Sequence, residues 1–135
     1  MICALSWALA GRRAALLAIV SFVGMWALGT WLNPAMARPR PVPPLVQVVG
    51  SPRGYSFPSS FALTYASTWG FLAILAAVKA TGPVRLALVI FCSVLLLAGG
   101  VARIALGAHW PSDIVISYFL GLLWAAGLIR FLAKA

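Results

Sequence analysis

AALLAIVSFVGMWALGTWL, residues 14–32, runs nineteen positions without a charged side chain. A helix rises about 1.5 Å per residue, so this run covers a hydrocarbon core of roughly 30 Å. Three further uncharged apolar runs follow it: 61–78, which ends at Lys79; 86–102, between Arg85 and Arg103; and 114–129, between Asp113 and Arg130. The last two are short for a span. Flanking arginines that snorkel, and helices that continue past them, make up the difference. The pattern predicts an all-α integral membrane bundle of four transmembrane helices, forming one membrane-embedded domain over residues 1–135.

The first ten residues are also apolar, but they stop at Gly11-Arg12-Arg13. Ten helical residues reach only ~15 Å, about half of a bilayer core. Their charges follow the apolar run, the reverse of a secretory signal. Residues 1–13 therefore read as an interfacial segment, with a truncated first helix as the alternative.

Composition supports a lipid solvent. The chain has 135 residues, 64% of them hydrophobic and 8% charged, too little charge for a soluble surface. Ten Lys or Arg stand against a single acid, Asp113. These cations lie singly or in pairs at the ends of apolar runs, not in the dense stripe that nucleic acid requires, so no nucleic-acid partner is expected. Arg12, Arg13, Lys79, Arg85, Arg130 and Lys134 fall on one side of the membrane, and Arg38, Arg40, Arg53 and Arg103 on the other. That bias favours a cytoplasmic N-terminus. The outer set consists only of arginines, the side chain suited to bidentate grip on phosphate. Cys3 and Cys92 sit in apolar stretches without metal-ligating company and read as packing residues. Few polar residues interrupt the spans, which speaks against a transporter.

Between the first two spans, residues 33–60 form an outer loop in which prolines 34, 39, 41, 43, 44, 52 and 58 oppose regular helix. ARPRPVPP at 37–44 should be extended and stiff.

The one histidine and the one acid of the chain lie four apart in ARIALGAHWPSD, residues 102–113. Pro111 suits the first position of a helix and places Asp113 in the first turn, where the dipole favours a carboxylate. His109 is then near enough for Asp113 to accept an imidazole N–H, fixing the tautomer and sharpening the other nitrogen as a nucleophile. Arg103 adds a guanidinium at the same interface. Such a set is costly in a membrane unless it serves an anion. In GYSFPSSF, residues 54–61, Pro58 marks another helix start. The first-turn N–H groups of Ser59 and Ser60, with their hydroxyls, can cradle an anion, although simple helix capping explains the same residues. Arg38 and Arg40 on the stiff loop can clamp phosphate oxygens or meet lipid headgroups. The predicted topology brings all three clusters to one face.

In this order the clusters resemble the signature of the type 2 phosphatidic acid phosphatase superfamily, which shares its site with vanadium haloperoxidases. Arg40-Pro41 resembles the end of the first motif, Pro58-Ser59 the start of the second, and Arg103, His109 and Asp113 the third. The resemblance covers residues from about Asn33 to Gly121 and implies a membrane phosphatase acting on a lipid phosphate or prenyl diphosphate at the outer membrane face. His109 would form a phosphohistidine and Asp113 would orient it. Arg38, Arg40, Ser59, Ser60 and Arg103 would bind phosphate, with no metal or other cofactor. Asn33 stands where the family has lysine, Ala102 where it has serine, and Phe61 where it has the histidine that protonates the leaving group. A catalytically degenerate member that binds lipid phosphate, or serves as a structural subunit, is the alternative. Its place would be the bacterial inner membrane, with the site facing the periplasm or exterior. Family members usually have more spans, and a second copy or a partner subunit could stand in for those before the first motif.

Overall fold

The computed structural model describes residues 1–134. Four helices follow one another: α1 (Ile2–Met36), α2 (Ser60–Lys79), α3 (Gly82–Ala105) and α4 (Pro111–Lys134). Each encloses one of the expected spans, and all four are long and apolar enough to cross a bilayer. The chain is an all-helical integral membrane protein. The two runs that looked short are carried by helices of 24 residues each, about 36 Å of rise.

Two boundaries differ from the sequence reading. α1 continues through Pro34 to Met36, where Ala37 in the left-handed conformation (φ 46°) ends it and returns its N–H to the Asn33 carbonyl. A proline in the last turn removes only one ladder bond, so the helix survives it and the loop narrows to 37–59. The N-terminal apolar segment is helical but breaks sharply at Ala10 (φ −149°) and Gly11 (φ 75°, ψ −171°). Gly11 adopts a region closed to other L-residues, which breaks the helix between the short arm and the long span. Ile2, Leu9 and Ala10 fold against a cluster of Ala14, Ala18, Phe71, Leu75, Ala125 and Ile129.

α2 is the hub, packing against α1, α3 and α4, while α3 barely meets α4. Water offers no apolar driving force inside lipid, so small residues and interhelical hydrogen bonds carry the packing. Gly121 of α4 lies so close to α2 that an added Cβ would be 2.7 Å from the Leu63 carbonyl oxygen. Ser21 of α1 donates to the Ser67 carbonyl of α2 at 2.7 Å, and Tyr118 of α4 to the Leu96 carbonyl of α3 at 2.6 Å. α3 turns Leu86, Ile90, Phe91, Val94, Leu97 and Val101 outward, as a lipid-facing helix should. Cys92 packs inside, whereas Cys3 is exposed, contrary to the sequence reading.

The polar residues collect at one end. There the C-terminus of α1, the N-terminus of α2, the α3–α4 turn and loop 37–59 meet. Val49 N–H donates to the Leu106 carbonyl at 3.0 Å, Ser56 N–H to Arg38 at 2.8 Å, and the Trp110 indole to Pro39 at 2.9 Å. The proline-rich loop is thereby tied down over the α3–α4 turn.

Candidate functional site

Gly107 makes this closure achievable. Its φ of 64° turns the chain out of α3, and a Cβ there would stand 2.7 Å from the Gln47 carbonyl oxygen. Only glycine combines that conformation with such close approach. Two residues later His109 is delivered into the interior, 4% exposed.

The imidazole is held from one side. Its Nδ1 lies 2.7 Å from the carbonyl oxygen of Ser56, an atom that can only accept. The proton therefore sits on Nδ1 and the lone pair on Nε2. This departs from the expected partner: Asp113 Oδ2 is 4.0 Å from Nδ1 and does not accept that proton. Asp113, fully buried in the first turn of α4 as expected, is occupied otherwise. It accepts from the Ser56 hydroxyl, from Trp110 N–H at 3.0 Å and from Arg38 at 2.5 Å. The carboxylate thus positions Ser56, which in turn positions His109. Burial drives the His109 pKa down from its ordinary 6.5 to about 4, with Arg40 and Arg103 pushing the same way. The ring is neutral at pH 7.

Nε2 points at donors. Arg40 Nη1 and Ser59 Oγ are each 3.3 Å away, and Arg103 Nη2 is 3.4 Å away. Arg40 is fixed by backbone carbonyls: Nε to Gly54 at 3.0 Å, Nη2 to Arg53 at 2.8 Å, and Nη1 to Ala108. Burial, then the charge of Arg103, lower its pKa. Arg103 lies over the Phe61 ring, 5.3 Å from its centroid, and its buried Nε has no hydrogen-bond partner. Ser59 is the N-cap of α2, accepting from Ala62 N–H at 3.3 Å. A cavity of about 190 Å³ opens beside these groups, lined by His109, Arg40, Arg53, Arg103, Ser60 and Phe61 together with Asn33, Tyr55 and Pro58. Asp113 is the only acidic side chain in the chain and already faces Arg38, so the cavity carries unbalanced positive charge. It suits a small polyanion.

Arg40, Ser59, Ser60, Arg103 and His109 therefore converge, with Asp113 behind them. Arg38 does not join them. Its guanidinium turns to Asp113 and to the Ser112 hydroxyl at 3.0 Å and lies outside the cavity lining, because the buried carboxylate is its nearest counter-charge. Nor is the first-turn cradle fully open, since Ser59 N–H donates to Ser117 Oγ at 3.0 Å. Asn33 is a clamp for the loop, with Nδ2 2.9 Å from the Tyr55 carbonyl and Oδ1 3.1 Å from its N–H. Sequence reasoning missed Ser56 and Tyr55. It met Arg53 only as one more outer-face arginine, which was the available signal.

The PAP2 superfamily profile matches residues 13–135. The chain belongs to this superfamily. The PAP2 fold is seen again in a crystal structure described as the first transmembrane PAP2-type phosphatidylglycerolphosphate phosphatase from Bacillus subtilis. The two superpose with a TM-score of 0.81 at 23% identity, over 98% of this chain and 66% of the other. The present chain thus spans just under two thirds of that PAP2 protein. No curated protein sequence matches.

Proposed function

We propose that the protein is a membrane phosphatase that cleaves a lipid phosphate or prenyl diphosphate through a phosphohistidine on His109. One observation carries the reading: the unprotonated Nε2 of a neutral imidazole lies within 3.4 Å of Arg40, Ser59 and Arg103, beside a positive cavity. A phosphoryl group seated there meets a nucleophile and two guanidiniums at once. Nε2 attacks phosphorus, the leaving oxygen departs, and the Nδ1–H bond to Ser56 steadies the imidazolium that forms. Arg40 and Arg103 bear the charge gathered on the equatorial oxygens. Water then attacks the phosphohistidine and frees inorganic phosphate. Membership of the PAP2 superfamily, and the likeness to a phosphatidylglycerolphosphate phosphatase, support a lipid substrate. The site would face the periplasm or exterior.

Phe61 shapes the choice of substrate. It lines the cavity where the family resemblance places a proton-donating histidine, and a phenyl ring donates none. General acid help is worth ~10²–10⁴ in rate. An alkoxide needs that help, whereas a phosphate leaving from a diphosphate is far less basic. Diphosphates are therefore the preferred substrates. The same residue favours the second reading, a phosphate-binding protein without turnover. Phosphate release by the detergent-purified protein separates the two. The expected result is vanadate-sensitive release, faster from a prenyl diphosphate than from phosphatidic acid and absent in His109→Ala. Equal or faster turnover of phosphatidic acid contradicts the preference, and no release from either contradicts the enzyme.

A further inference from the structure

The cavity holds few groups able to give a proton to a departing alkoxide. His109 is engaged as the nucleophile, and guanidiniums keep their protons near neutral pH. Asparagine, proline and phenylalanine have none to give. Ser60 and Tyr55 remain among the lining residues. The serine hydroxyl is no stronger an acid than the alcohol it would protonate. A phenol is far stronger than either.

The backbone that carries Tyr55 is also pinned. Asn33, at the last turn of α1, grips its backbone from both sides: Nδ2 donates to the Tyr55 carbonyl at 2.9 Å, and Oδ1 accepts the Tyr55 N–H at 3.1 Å. The same Nδ2 reaches the Pro58 carbonyl at 3.2 Å, so one amide spans from Tyr55 to the start of α2. Next to Tyr55, Ser56 holds His109. The proton donor and the residue that holds the nucleophile would thus be consecutive in one pinned stretch of loop.

We infer that Tyr55 is the general acid for monoester substrates, and that Asn33 is its positioning residue. This rests on the phosphatase reading above. As the His109–phosphorus bond forms and the phosphorus–oxygen bond breaks, the phenolic proton passes to the leaving oxygen, giving an alcohol and a phenolate. In the second half, water attacks phosphorus, its proton returns to the phenolate, and the phosphorus–nitrogen bond breaks to free phosphate and neutral His109. A phenol is a weaker acid than imidazolium, so diphosphates remain the better substrates.

The test compares an alkyl phosphate monoester lipid with p-nitrophenyl phosphate, whose leaving group needs no proton, using wild-type protein, Tyr55→Phe and Asn33→Ala. Tyr55→Phe should lower kcat on the alkyl ester by about 10²-fold and leave the nitrophenyl ester nearly unchanged. Asn33→Ala should show the same leaving-group pattern with a smaller loss. Equal losses on both esters, or no loss on the alkyl ester, overturn the role of Tyr55 while leaving the phosphatase reading intact. A wild-type protein inert toward both esters and toward prenyl diphosphate overturns both.

Discussion

His109 gives its Nδ1 proton to the carbonyl oxygen of Ser56 at 2.7 Å, while the carboxylate of Asp113 stands 4.0 Å away. The acceptor that fixes the tautomer is uncharged. A carboxylate in that place would hold the imidazolium and raise the pKa, but a carbonyl in a buried site cannot offset desolvation. The ring therefore stays neutral over a wider range, with an unprotonated Nε2 facing Arg40, Ser59 and Arg103.

The first prediction concerns pH. With the His109 pKa lowered to about 4, the acid limb of kcat/KM should fall near pH 4, not near the ordinary 6.5. Stability follows the same sign. Between those values the unfolded chain binds a proton that the native state refuses, so stability is full above about 6.5 and declines as pH falls toward 4. A pH-rate profile on a diphosphate substrate checks the first, and thermal unfolding across the same range checks the second.

Arg103 brings Nη2 to 3.4 Å from His109 Nε2 and carries a buried Nε without a partner. Arg103→Lys keeps the charge but loses the fork, and kcat/KM should drop by ~10²-fold. Vanadate inhibition should weaken in parallel. A lysine variant with wild-type kinetics would remove Arg103 from the site.

Arg38 should behave differently. Its guanidinium pairs with fully buried Asp113 but is itself 40% exposed. Arg38→Ala leaves that carboxylate with the Ser56 and Trp110 donors only, and should cost about 1–3 kcal/mol of stability, below the range for a fully buried pair. KM on a prenyl diphosphate should change little. A large rise in KM at unchanged melting temperature would return Arg38 to the phosphate-binding set.

These contrasts mark how far the sequence could be read. The four spans were visible because lipid imposes long uncharged runs, and Pro111 marked the first position of α4 through its fixed φ and missing N–H, whereas Pro58 lies two residues before α2, whose cap is Ser59. The topology alone brought three polar clusters to one face. What stayed hidden was the direction of individual groups. Arg38 and Arg40 are two residues apart on one loop, yet one turns to Asp113 and the other to His109. Nothing in residue identity distinguishes them. The acceptor for His109 is a backbone carbonyl, which every residue has. Asn33 looked like a gap in a motif, and its clamp on Tyr55 depends on where a 23-residue loop returns, 37–59 in the fold.

The central claim is that His109 Nε2 bonds to phosphorus, and mass spectrometry of rapidly quenched protein tests it most directly. Incubated with a prenyl diphosphate and kept alkaline, where phosphohistidine survives, the wild-type protein should carry a phosphoryl group on the peptide containing His109. His109→Ala should carry none. Steady phosphate release with no adduct on that peptide at any quench time, or an adduct on a different residue, would contradict the account.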